Sequence, residues 1–139
     1  MARVLDASVI MRWLVDEPLS ANARALLASD EALLAPVLAR SEVANALWRQ
    51  VASGRLTLAE AIDRMAALAE SDIEFVDDVS LQLGALHVAA TAMHPVYDCE
   101  YLALALDRDA DLVTADDRLW QLAQSVLGNG AVRLADVPV

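Results

Sequence analysis

The chain has no lysine, so its ten basic residues are all arginine, set against 21 Asp and Glu for a formal net charge of −11. That balance excludes a general nucleic-acid coat protein, whose affinity needs a surplus of basic groups facing phosphates. It also argues against phosphoryl-receiving signalling domains, small α/β folds with clustered aspartates whose usual design needs a lysine to neutralise the phosphoryl group. An acidic pocket can still act on a phosphate where metal ions supply the positive charge. An acidic surface would also attract a basic protein partner.

Cysteine, glycine and long apolar runs are scarce as well. Cys99 is the only cysteine, which rules out an internal disulfide and a thiolate metal cluster. The four glycines, at 54, 84, 128 and 130, form neither a phosphate-cradling loop nor a dinucleotide fingerprint. No apolar stretch approaches the roughly 20 residues of a membrane span. MARVLDASVI lacks a signal peptide's long apolar region and cleavage site, so a cytoplasmic location is expected.

What remains is 139 residues of which 58% are hydrophobic, dominated by Ala and Leu. A chain of this length makes one domain that buries about two thirds of its unfolded surface, and this composition favours closely packed helices. Short apolar strands are expected at Arg3 to Leu5, Ala32 to Ala35, Ile73 to Val76, Leu112 to Thr114 and Ala131 to Leu134. Helices are expected over Ala7 to Val15, Ser20 to Ala28, a segment ending at Ala52, Thr57 to Ala69, Ser80 to Met93, from Asp98 onward, and from Asp116 or Asp117 to Leu127. Thr57 with Glu60 three residues on forms a capping-box pattern. In the third helix Val37, Ala44, Leu47, Trp48 and Val51 read as the apolar face, and Ser41, Glu42, Asn45 and Arg49 as the polar one. This order implies an α/β fold, a mostly parallel central sheet of about five strands with helices on both faces.

Four acids stand at the edges of apolar runs: Asp6 in RVLDAS, Glu42 in ARSEVANALW, Asp98 in PVYDCEYLALAL and Asp116 in DLVTADDRLW. In such a fold the reactive groups lie beyond the carboxyl ends of the strands, where Asp6 and Asp116 fall directly and Asp98 and Glu42 can lean over the same edge. Gathered there, two carboxylates about 5 Å apart repel by about 3 kcal/mol at an effective dielectric of about 20. A divalent cation would offset this. Each Asp also has a simpler reading as a helix N-cap, and Glu42 as a solvated glutamate.

The motifs VLDASV, SEVANAL, YDCEYLALAL and LVTADDRL, in this order, resemble the PIN-domain ribonucleases, specifically the VapC toxins of type II toxin–antitoxin pairs. The resemblance spans nearly the whole chain and implies a single PIN-like domain over residues 1–139. It implies a Mg²⁺- or Mn²⁺-dependent endoribonuclease whose metal-binding acids are Asp6, Asp98, Asp116 and Glu42, the last directly, through water or by positioning the nucleophile. It also implies an RNA substrate, a cognate antitoxin, and a homodimer or toxin–antitoxin hetero-oligomer. A PIN-like module that binds RNA or protein without cutting is the alternative.

Ser8, Asn45 and Thr114 are placed to hydrogen-bond the acids or a metal-bound water. Asp117 shares the Asp116 doublet and reads as a first-turn acid, and Glu100 as a further outer acid. Arg12, Arg40, Arg49 and Arg118 are candidates for RNA phosphates or for salt bridges. His87 and His94 read as a packing and a turn histidine, Cys99 as a small buried residue, and Trp13, Trp48 and Trp120 as core or interface anchors.

Overall fold

The computed structural model describes residues 1–139. Five strands form one sheet: β1 (Ala2–Leu5), β2 (Ala32–Pro36), β3 (Glu74–Val76), β4 (Asp111–Thr114) and β5 (Ala131–Arg133). All four pairings are parallel and the strand order is β3-β2-β1-β4-β5. From β1 the chain steps outward to β2 and β3, then returns to add β4 and β5 on the other side. With right-handed crossovers this reversal lays helices on both faces. It also opens a crevice at the carboxyl ends of β1 and β4, where the direction of winding switches.

Seven helices connect and cover the strands: α1 (Ala7–Leu14), α2 (Ser20–Leu27), α3 (Leu38–Ala52), α4 (Leu58–Ala69), α5 (Val79–Ala92), α6 (Val96–Arg108) and α7 (Asp117–Leu127). Short 3-10 turns follow at Gly128–Gly130 and Leu134–Asp136. None of the helices is long and apolar enough to cross a membrane. The expected capping box is present, with Thr57 and Glu60 each accepting the other's backbone N–H at 3.1 and 3.0 Å.

The core runs through α6. Its residues Cys99 to Ala105 are buried without a break, because the helix packs on β1, β2 and β4 while α5 and α7 cover it. A helix enclosed on all sides needs apolar residues all round rather than one stripe, which is why the sequence reads YLALAL there. α5 sits so close that a Cβ at Gly84 would come within 3.3 Å of the Ala103 Cβ. β1 and β4 are apolar for the same reason, with Val4, Leu5, Leu112 and Val113 fully buried.

The fold departs from the sequence reading in two places, at the start of α6 and on the faces of α3. α6 begins at Val96 with Pro95 at the cap position, so Asp98 lies inside its first turn and does not open the helix. Proline serves there because the first turn has no intrahelical use for its missing N–H. In α3 the buried residues are Ala39, Val43 and Leu47, whereas Ala44 is exposed and Trp48 is 62% exposed. α3 therefore carries two apolar stripes, one on the core and one toward α4. Trp48 lies on the second, in a cavity of about 240 Å³ lined entirely by hydrophobic residues, among them Leu58, Ile62 and Met65 of α4.

Candidate active site

Asp6 follows the last residue of β1, and Asp116 lies two residues past the end of β4, so neighbouring central strands deliver both to the crevice. Glu42 projects from α3 and Asp98 from the first turn of α6. All four line one open cavity of about 460 Å³, together with Ser8, Asn45, Arg12, Arg49, Tyr101 and a fifth acid, Glu17. Four carboxylates from four separate parts of the chain thus reach the same space.

Capping explains only one of them. Asp116 Oδ1 accepts the N–H groups of Arg118 and Leu119 at 2.8 and 3.2 Å, closing the start of α7. Asp6 occupies the cap position of α1 yet makes no side-chain cap bond. Its Oδ1 instead accepts from Ser8 Oγ at 2.6 Å, and Ser8 Oγ in turn accepts from Ala115 N–H at 3.0 Å. Ser8 therefore ties the end of β1 to the end of β4. Thr114 Oγ1 accepts the Asp116 N–H at 2.9 Å and turns the chain into the cap.

Burial dominates the electrostatics. Asp6 is only 6% exposed, and desolvation lifts its pKa from 3.8 to about 7 despite the opposing hydrogen bonds from Ser8 and Thr114. Glu42 is also raised, first by burial and then by the negative charges of Asp98 and Glu100, against the lowering effect of a hydrogen bond from Tyr101. Asp6, Glu42 and Asp116 form no ion pair with any arginine. Asp98 Oδ2 is 2.8 Å from His94 Nε2.

The donor set suits a hard cation. Its atoms are carboxylate oxygens around an open cavity that water can enter, the preference of Mg²⁺ and Mn²⁺. A buried Asp6 that must ionise beside other acids, with no arginine paired to it, is a group that a cation would stabilise. As the side chains stand, no three acidic, imidazole or thiol groups are close enough to share one ion. The acids ring the cavity and do not converge on one point.

Tyr101 and His94 are the residues that sequence reasoning missed. Tyr101, 1% exposed, donates its hydroxyl to Glu42 Oε1 at 2.5 Å, and burial with the facing Glu42 charge drives its own pKa upward, so it stays a donor. Its spacing three residues after Asp98, on the same helical face, was the available signal. His94 looked like a turn residue before Pro95, but the left-handed Met93, at φ 54°, swings the chain so that its ring meets Asp98. Glu17 had no distinguishing context.

Other candidates fall outside the cavity. Asp117 pairs outward with Arg133 Nη1 at 2.5 Å, which leaves Asp116 as the member of the doublet at the cavity. Glu100 is buried against α5, accepting from Gln82 Nε2 at 2.9 Å. Arg40 stacks on Phe75 at 4.4 Å, and neither it nor Arg118 lines the cavity. Trp120 packs under Arg133 at 3.8 Å. Cys99 is buried, and desolvation pushes its thiol pKa up, which opposes a nucleophilic role.

The PIN domain family model matches residues 3–124. Comparison with curated proteins gives no significant match. Among solved structures, PAE2754 from Pyrobaculum aerophilum is similar with a TM-score of 0.73 and 22% identity, over 97% of this chain and 90% of that one. VapBC2 from Rickettsia felis, bound to a DNA fragment from its promoter, has a TM-score of 0.68 and 12% identity over 96% and 97%. VapBC-1 from nontypeable Haemophilus influenzae has a TM-score of 0.60 and 16% identity over 91% and 95%. These likenesses cover nine tenths or more of each chain, and PIN domains are generally nucleases. With the family match running from the first strand into the last long helix, this chain belongs to the PIN domain family.

Proposed function

We propose that the protein is a metal-dependent endoribonuclease that acts as the toxin of a toxin–antitoxin pair. The observation that carries this reading is the arrival of Asp6, Glu42, Asp98 and Asp116 from four elements in one open cavity at the switch between β1 and β4. Asp6, Asp98 and Asp116 would hold Mg²⁺ or Mn²⁺, with Glu42 at the rim directly or through water. When bound, the ion supplies a water of lowered pKa and positive charge at the phosphate. Ser8 orients the Asp6 carboxylate, Tyr101 fixes Glu42 where it can align the attacking water, and His94 restrains Asp98.

The toxin role draws support from the two VapBC structures of the same fold. A net charge of −11 favours a basic antitoxin segment. The apolar cavity around Trp48, between α3 and α4, gives such a partner a place for a hydrophobic anchor.

The test is to incubate the purified protein with labelled total RNA and Mg²⁺ or Mn²⁺, with and without chelator, beside Asp98→Asn. Cleavage that needs the metal and is lost in the variant supports the reading. Chelator-insensitive cleavage, or full activity in Asp98→Asn, overturns it.

A further inference from the structure

The cavity that holds the acids also holds two arginines, Arg12 of α1 and Arg49 of α3. Both stand among carboxylates, including Glu17 and Glu42, yet neither forms an ion pair with any acid. By contrast Arg3, Arg24, Arg108 and Arg133 each lie within 4.0 Å of a carboxylate. Arg40, Arg55, Arg64 and Arg118 are without an ion pair too, but none of them lines this cavity, so what distinguishes Arg12 and Arg49 is an unpaired guanidinium at the wall that carries the acids.

Both are built into the site. Arg12 Nη1 donates to the main-chain oxygen of Ser8 at 2.9 Å, one turn earlier in α1, and Ser8 is the residue that holds Asp6. Its Nε–H is buried and lacks an acceptor, an arrangement that leaves the guanidinium short of partners. On α3, Glu42, Asn45, Ala46 and Arg49 all reach the cavity. Their spacing of three or four residues makes one continuous stripe along the helix. Arg49 lies seven residues beyond Glu42, about 10 Å along the helix axis, and Arg12 lies about 9 Å along α1 from Asp6 by the same rise. On α1 and α3 alike the arginine therefore lies about two turns beyond the acid, and Glu17, past the end of α1, lines the same cavity.

We propose, on the reading of the protein as a nuclease, that Arg12 and Arg49 form a subsite for a phosphate of the RNA strand neighbouring the one cleaved at the carboxylates. Guanidinium groups fit phosphate oxygens with paired donors. Their separation from the acids places them against the adjacent linkage and not the scissile one. The enzyme then requires a strand with at least two phosphates for full activity, and the two arginines select a polynucleotide over a single phosphodiester.

The test compares the parent, Arg12→Lys, Arg49→Gln and the double variant Arg12→Lys/Arg49→Gln. Arg49 is exposed and its replacement leaves the core untouched, while the lysine at 12 keeps the charge should that site need it for folding; circular dichroism verifies each fold. Kinetics are measured with Mn²⁺ on a single-stranded oligoribonucleotide and on bis(4-nitrophenyl) phosphate. The expected result is a fall of about tenfold in the ratio of the two kcat/KM values for the double variant, through KM on the oligonucleotide.

A second readout is binding of the labelled strand in Mg²⁺ on the non-cleaving Asp98→Asn background. Arg49→Gln should flatten the slope of log K against log salt by about 0.7, the value for one single-strand phosphate contact. An unchanged ratio together with an unchanged slope overturns the subsite. If the parent cleaves neither substrate, the nuclease reading fails by that fact, and the binding slope still decides whether the arginines hold a strand.

Discussion

Tyr101 and Glu42, fifty-nine positions apart, meet in a 2.5 Å hydrogen bond in which a buried phenol holds a half-buried carboxylate. α6 supplies the donor from inside the core and α3 supplies the acceptor at the rim of the cavity. The bond thereby couples the most enclosed helix of the fold to a half-buried acid at the wall of the proposed site. It also opposes the burial and the Asp98 and Glu100 charges that raise the Glu42 pKa.

Tyr101→Phe keeps the ring in the core and removes only the hydroxyl. Glu42 then loses its donor, at a cost of about 1.5–3 kcal/mol for a hydrogen bond to a charged group. The variant should melt lower than the parent at neutral pH. It should also have the acid limb of its pH–rate profile moved to higher pH, because the anionic form of Glu42 has lost its support. Thermal melts and a pH profile with Mn²⁺ check this, and an unmoved acid limb would remove Tyr101 from the site.

The buried Asp6 carboxyl makes the stability of the metal-free protein fall as pH rises. Its folded pKa is about 7 against 3.8 for the ordinary carboxyl, so between these values the folded state binds the extra proton. The penalty for burying the charge is absent below about pH 4, grows as pH rises, and is fully present above about pH 7. Asp6→Asn keeps the acceptor for Ser8 but never ionises. In chelator it should melt with the parent near pH 4 and above it at pH 8. In the parent, metal affinity should rise with pH and level off above about 7, with protons released on binding below that point. Calorimetric titration in two buffers of different ionisation enthalpy measures the release.

Much of this was legible in the sequence for definite reasons. Three of the strands are short apolar runs closed by a turn signal or an acid: Pro36 as the last residue of β2, Asp6 directly after β1, Asp116 two residues beyond β4. The parallel arrangement follows from helices between successive strands, and it alone puts Asp6 and Asp116 at one edge. Periodicity names the face a residue occupies but not the neighbour across it, so the Tyr101–Glu42 and His94–Asp98 bonds could not be read. Trp48, read as a core or interface anchor, was left open between the two for the same reason: its stripe is apolar, and that α4 covers it only in part is a matter of the neighbour across it. Asp6 does stand at the cap position of α1, but its carboxylate is held by the Ser8 hydroxyl rather than by a cap bond, which the N-cap pattern alone does not reveal.

Asp98 is partly exposed, with a side-chain accessibility of 38%, and its one partner is His94. Asp98→Asn retains an oxygen that can accept from the imidazole, so in chelator the variant should melt within about 0.5 kcal/mol of the parent. Mg²⁺ at saturating concentration should raise the melting temperature of the parent and leave the variant unmoved, since only a ligand bound to the native state shifts the midpoint. Equal shifts in both proteins would take Asp98 out of the metal site.

Asp116 allows the structural and chemical roles to be separated within one side chain. Its Oδ1 caps α7 through two backbone N–H groups, which leaves Oδ2 and the carboxylate charge for the cavity. Asparagine caps a helix about as well as aspartate, whereas alanine loses the cap at a cost of about 1 kcal/mol. Asp116→Asn should therefore melt close to the parent in chelator and Asp116→Ala clearly below it. Both should lose the stabilisation by Mg²⁺ and the cleavage of RNA to the same extent, because charge and not capping is what a cation requires. If Asp116→Asn kept full cleavage while Asp116→Ala lost it, Asp116 would be a cap alone, and the cation would rest on Asp6 and Asp98 with Glu42.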